Sequence, residues 1–291
     1  MQIAVIGSNG QIGSEIVRAA SSAGLAVIEL RHSDIEVTDT ASVARALAPL
    51  RSGDVVVNTA AFHRTDECED APDRALSVNT LGAHRVAAVA RDRNAVAVYL
   101  SSDFVFDGEK KTPYVESDIA RPVNAYGVSK AAGEALLRAA NPAHYIVRVS
   151  AVFGPAGSSG KGGNFVESMV AKARAGQTPD VVDDIVMAPT SAADAAGLLV
   201  QLLQREAPFG IYHLANAGAC SWYEFTDAIF EFMDAAVRAR PVKAASLDGK
   251  ARRPHYSVLA SERLPSLGLQ TRDWRLALHD YLRRRNYLAG S

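Results

Sequence analysis

An apolar tetrapeptide, Ile3-Ala4-Val5-Ile6, runs directly into Gly7-Ser8-Asn9-Gly10-Gln11-Ile12-Gly13, and a helical stretch, Gln11–Ala23, follows at once. Three glycines at this spacing between a strand and a helix leave few ways to fold. They permit a tight turn, close backbone approach to a bound group, and close packing of the helix on the sheet. The helix also aims its unpaired N–H groups over the loop, which suits a pyrophosphate. The spacing is G-x-x-G-x-x-G rather than G-x-G-x-x-G, but the physical demands are shared.

The rest of the first half repeats the alternation. Ala26–Leu30, Val55–Val57, Val96–Leu100 and Ile146–Val149 read as strands, and Thr40–Leu50, Pro72–Arg91 and Asn124–Ala139 as the helices between them. Strands that are apolar throughout, rather than alternating, indicate a parallel sheet covered on both faces. Repeated βαβ units then give an α/β fold with a doubly wound parallel sheet. The pattern loosens after residue 150. A Gly-rich loop, Phe153–Gly163, precedes helical stretches at Asn164–Ala175, Ser191–Gln204, Ser221–Arg238 and Asp273–Arg284, with short strands near Asp180–Val182 and Ile211–Leu214. This part reads as a smaller lobe whose chain can cross back into the sheet.

Composition narrows the function. Lys and Arg number 31 against 32 Asp and Glu, so there is no broad positive field of the kind nucleic acid requires. The two cysteines, Cys68 and Cys220, show no metal-ligand or disulfide spacing, which fits a reducing compartment. No run approaches a membrane span, and no basic segment precedes a long apolar one. A cytoplasmic protein with no membrane partner is expected.

The chemistry gathers at strand ends and on one helix. Tyr126 and Lys130, four residues apart, share a helix face. An ammonium near a phenol would lower its pKa, and such a phenol can protonate a carbonyl oxygen as hydride reaches the carbon. Ser102 closes the fourth strand, where sites of open α/β sheets lie, and can hydrogen-bond the same oxygen. At the end of the second strand stand Leu30-Arg31-His32-Ser33. Arg31 there favours a 2′-phosphate and hence NADPH over NADH, although a solvated strand-end charge is an equal reading. The carboxylates around Cys68 (Asp66, Glu67, Glu69, Asp70) are able to hold Mg²⁺, but a solvated helix face explains them as well.

These residues resemble the extended short-chain dehydrogenase/reductases, and within them the dTDP-4-dehydrorhamnose reductase family. Matching segments run nearly end to end: Gly7–Gly13, Val57–Phe62, Thr65–Glu69, Val78-Asn79, Ser101-Ser102-Asp103-Phe104-Val105-Phe106-Asp107-Gly108, Pro122–Gly127, Asn164-Phe165, Ala188-Pro189-Thr190, Tyr212–Ala215, Ser221–Phe225, and Arg252-Arg253-Pro254 with Ser257. The resemblance implies a Rossmann-like domain over residues 1–150 and, over 151–291, mostly a substrate-binding lobe. It implies Tyr126 as proton donor, Lys130 holding the nicotinamide ribose, and Ser102 orienting a 4-keto oxygen, with Asp103 and Arg253 at the sugar nucleotide. Gly7, Gly10, Gln11, Ile12, Gly13, Arg31, Asp39, Thr40, Ala60, Ala61, Phe62, His63 and Leu100 would line the cofactor. The implied substrate is a dTDP-4-keto-6-deoxy sugar, and the implied assembly a monomer or homodimer. Other nucleotide sugars, or a non-catalytic NADP-binding regulatory subunit, are the alternatives. The family's Arg-Thr-Ser-Trp-type segment stands here as Arg148-Val149-Ser150-Ala151, without the aromatic, and Phe153 is expected to fill that space.

Overall fold

The computed structural model describes residues 1–156, 163–246 and 249–288. Residues 157–162 of the expected Gly-rich loop lie outside the described residues. Five strands, β1 (Gln2–Ile6), β2 (Ala26–Leu30), β3 (Val55–Asn58), β4 (Val96–Ser102) and β5 (His144–Val149), join the strand Gly210–His213 in one sheet. The spatial order is Gly210–His213, β5, β4, β3, β1, β2, and every pairing is parallel. The strand order reverses between β1 and β3, so a crevice must open at their carboxyl ends.

Successive strand residues point to opposite faces, and both faces are apolar. Ile3, Val5, Val57, Val98 and Val147 pack with Ile16 and Ala20 of α1 (Gln11–Ser22) and with the helix Ala192–Gln204. Ala4, Ile6, Val56, Ala97, Tyr99 and Ile146 pack on the other side, against Val43, Val86, Ala87 and Leu137 of three more helices. The edge strand β2 departs from the expectation of double cover: only Leu30 is buried and Glu29 is exposed.

The chain after residue 150 does return to the sheet, through the helix Ala192–Gln204 and the strand Gly210–His213. The remainder forms a second core in which Phe153, Phe225, Trp274 and Tyr281 pack with Met169 and Ile229. Two helices differ from expectation. Pro72–Arg91 is three pieces, Pro72–Ala75, a π-helical turn Leu76–Gly82, and Ala83–Asp92. The stretch from Ser221 ends at Phe232, with Asp234 at φ 51° just beyond, in the left-handed region that stops a helix. The helix Thr65–Asp70, with no apolar period to announce it, was not expected. Among the described residues, no helix is long and apolar enough to cross a membrane.

Candidate active site

A cleft of about 860 Å³ opens at the switch point, a volume within the range of small-molecule sites. Its floor is the glycine turn. Gly7 sits at φ 78° and donates its N–H to Leu30 O at 2.7 Å, tying the loop to β2. A Cβ on Gly13 would lie 2.1 Å from Gly7 O, so no larger residue fits. Gly13 therefore packs beneath the site and does not line it. Gly10 caps α1 with no side-chain hydrogen bond, leaving the first N–H groups of a 12-residue helix directed at the cleft.

Gly7, Gly10, Gln11, Ile12, Arg31, Ala60, Ala61, Phe62, His63, Leu100, Tyr126 and Lys130 all line the cleft; Ser102 does not, and Ser101 stands there instead. Asp39 and Thr40 do not line it either. Asp39 caps the helix Thr40–Ala46 by accepting from Ala41 N at 2.9 Å, and Glu36, Val37 and Thr38 take the wall instead. Sequence reasoning also missed Asp73, Arg74, Ser77, Val149 and Val152. The Arg74 guanidinium lies 4.7 Å from the centre of the Phe62 ring, a second cation that no motif pointed to. Gln11 donates to Val152 O at 2.6 Å, while its Oε1 is buried without a protein partner. An uncapped helix start, a glycine cradle and this orphaned acceptor together fit a dinucleotide.

The reactive groups meet at one end of the cleft. Asn124 starts the helix Ala125–Ala140 by accepting from Gly127 N at 2.8 Å, and Tyr126 and Lys130 follow on its inner side. Gly127 is required here, since a Cβ would lie 2.1 Å from Phe104 O. The helix thus sits hard against the Ser102–Phe104 turn. Lys130 is 2% exposed, donates to Leu100 O, and places its Nζ 4.1 Å from the Tyr99 ring centre. Burial pulls this amine down to about 7. Burial pushes the Tyr126 phenol above its usual range, while a hydrogen bond with Ser102 lowers it. The expectation that Lys130 would draw the phenol down is corrected: desolvation dominates, and the charges acting on Tyr126 are those of Asp103 and Cys68. A phenol held protonated remains a competent acid.

Asp103 is also corrected. It is 3% exposed and absent from the cleft wall. Its carboxylate accepts from Ser102 at 2.9 Å, Ser150 at 2.8 Å and Ser257 at 2.6 Å, and burial raises its pKa. Ser102 accepts from Phe104 N at 3.2 Å, so it is fixed between the turn and Tyr126. Arg253 pairs with Asp66 at 3.2 Å and stays partly exposed. Its neighbour Arg252 receives Asn124 Nδ2 at 2.8 Å, which brings this distant segment to the helix start beside Tyr126. Phe153 does not fill the space left by Ala151. It is buried in the second core, 5.7 Å from Phe225 and 5.4 Å from Tyr281 between ring centres.

The carboxylates near Cys68 are engaged by protein. Glu67 pairs with Arg64, Glu69 accepts from Ala125 N, and Asp70 pairs with Lys250. Among the described residues there is no group of three or more His, Cys, Asp or Glu arranged for a metal ion.

A doubly wound sheet, a cleft fit for a dinucleotide at its switch point and a Tyr/Lys pair on the cleft wall define an oxidoreductase of the short-chain type. The chain belongs to the family described as RmlD substrate binding domain, whose model matches residues 1–286. It is 37% identical over 282 residues to a dTDP-4-dehydrorhamnose reductase of Mycolicibacterium smegmatis, covering 96% of this chain and 84% of that one. It is 36% identical over 277 residues, 94% of each chain, to a dTDP-4-keto-6-deoxy-D-glucose reductase of Streptomyces niveus. The solved dTDP-4-dehydrorhamnose reductase of Bacillus anthracis, in complex with NADP, superposes with a TM-score of 0.91 at 28% identity, covering 98% of this chain and all of that one.

Proposed function

We propose that this protein reduces the 4-keto group of a dTDP-4-keto-6-deoxy sugar, dTDP-4-dehydro-L-rhamnose, to the alcohol at the expense of NADPH. The observation that carries the reading is that Tyr126 and Lys130 share the wall of the cleft, with Ser102 behind it in hydrogen-bond reach of the Tyr126 phenol. When bound, the nicotinamide supplies a hydride. Gly7, Gly10 and the start of α1 hold the diphosphate, and Arg31 with Arg74 faces the adenosine side. Lys130 holds the nicotinamide ribose. Tyr126 gives its phenolic proton to the keto oxygen, and Ser102 orients that phenol through a hydroxyl anchored on Asp103. A regulatory subunit would have no use for this catalytic geometry. We place the reaction in the cytoplasm, a reading supported by two buried cysteines that form no disulfide.

A second nucleotide sugar is favoured by one observation. Phe153 is committed to the second core and Ala151 packs on that same core, so no side chain replaces the family's aromatic there. Incubation with NADPH or NADH and a panel of dTDP-, UDP- and GDP-4-keto-6-deoxy sugars, following nucleotide absorbance, decides between them. No oxidation with dTDP-4-dehydro-L-rhamnose at millimolar concentration would overturn the rhamnose reading.

A further inference from the structure

Behind the reactive pair lies a buried charge that the cleft does not use. Glu134 stands one helical turn after Lys130, on the same face, and is 3% exposed. Two elements fix it from outside its helix. Ser101 of β4 donates to Glu134 Oε1 at 2.6 Å, and Arg148 of β5 closes a two-pronged bond, Nε to Oε1 at 2.9 Å and a terminal nitrogen to Oε2 at 2.7 Å. The adjacent β4 residue, Leu100, offers the carbonyl that receives Lys130 Nζ. One strand end therefore holds both Lys130 and the carboxylate below it.

We propose that Glu134 is a positioning residue for the reduction: anchored by Ser101 and Arg148, it keeps Lys130 as an ammonium, fixed at Leu100 O and ready for the ribose. The proposal rests on the reading that Lys130 serves catalysis. The physical need is plain, because a lysine taken out of water next to the Tyr99 ring otherwise sheds its proton. Burial lowers the Lys130 amine, and Glu134 is the charge that opposes that shift. The other ionisable groups around this helix are arranged differently. Tyr126 shares the helix and faces Ser102, Asp103 lies beyond Ser102, Cys68 acts on Tyr126, and Tyr99 presents its ring to Nζ. The Arg148 charge is engaged by Glu134, and beyond it His213, at 3.4 Å, is held neutral near pH 7, pulled down to about 4 by burial. Removing Glu134 leaves Lys130 with its own desolvation and without the carboxylate that opposes it, while Arg148 loses its partner.

The test compares wild type and Glu134→Gln in kcat, KM and NADPH affinity from pH 5.5 to 9.5, the last read by nucleotide fluorescence without turnover. The ammonium is needed, so activity and NADPH affinity fall as pH rises through the Lys130 pKa. In Glu134→Gln that alkaline limb should move to lower pH by about one unit or more, with kcat at pH 8 reduced about tenfold and sugar KM little changed. If Arg148, left unpaired, prevents the single variant from folding, Glu134→Gln/Arg148→Met removes both buried charges and should show the same acidward displacement. A lower melting temperature with an unmoved pH profile in whichever variant folds would make Glu134 merely structural. Lys130→Met separates the two levels. Wild-type turnover there defeats the reading of Lys130 itself, whereas a dead Lys130→Met beside an unshifted Glu134→Gln defeats only this inference.

Discussion

The glycine-lined floor of the cleft and the framework behind the reactive pair are built by different means. At the nucleotide end the contacts come from backbone: a turn at Gly7, the open start of α1, and the carboxyl ends of β1 and β3. Behind the reactive pair the framework comes from side chains on segments far apart in sequence. Ser102, Ser150 and Ser257 converge on Asp103, and Arg253 reaches Asp66 across 187 positions. A backbone cradle tolerates changes to most side chains but not to its glycines. A side-chain assembly can change residue by residue.

The largest expected effect falls where the two regions meet. Tyr126→Phe removes only the phenolic oxygen, so turnover should drop ~10²-fold or more while NADPH binding, measured by fluorescence titration, survives. Wild-type turnover would show that the acid lies elsewhere. Next comes the cradle. Gly13→Ala sets a Cβ against Gly7 O at 2.1 Å, and the forced displacement should cost about 1–3 kcal/mol in denaturant unfolding and weaken both NADPH and NADH. A variant that binds both normally would refute the backbone account of the nucleotide end.

A narrower test concerns cofactor choice. Arg31 lines the cleft at the end of β2, and Arg31→Ala should weaken NADPH by ~1–3 kcal/mol with NADH nearly unchanged, because the charge-assisted bond is lost only with the 2′-phosphate. Equal losses would make Arg31 a structural residue. The smallest effect belongs to position 151. Ala151 lies at φ 41°, so its backbone already bears the cost of a Cβ in the left-handed region, and Ala151→Trp adds ring without a new backbone demand. It should lower KM for dTDP-4-dehydro-L-rhamnose severalfold by restoring an aromatic face. A raised or unchanged KM would mean that position 151 does not present a ring to the sugar.

Much of this was legible in advance, and unevenly. The five strands and the helix bearing Tyr126 and Lys130 lie close to where hydrophobic period and turn residues place them, because both act within a few residues. The edge position of β2 was hidden, since an exposed edge strand and a buried one share the same valine, isoleucine and leucine content. The π-helical turn at Leu76–Gly82 was hidden for a related reason: it continues a helical pattern with one looser turn. Asp39 and Thr40 were misplaced by the length of a loop, which no local pattern measures.

The sequence by itself determined the sheet, the glycine turn and the identity of the reactive pair, because each is encoded by neighbouring residues and by spacing along one element. Only the tertiary structure decided the surroundings of that pair. It placed Asp103 among three serines, sent Phe153 into the second core, and set Tyr126 in desolvation that outweighs the expected pull of Lys130. Those outcomes depend on which distant segments exclude water from a group, and exclusion of water is a property of the packed molecule, not of any stretch of chain.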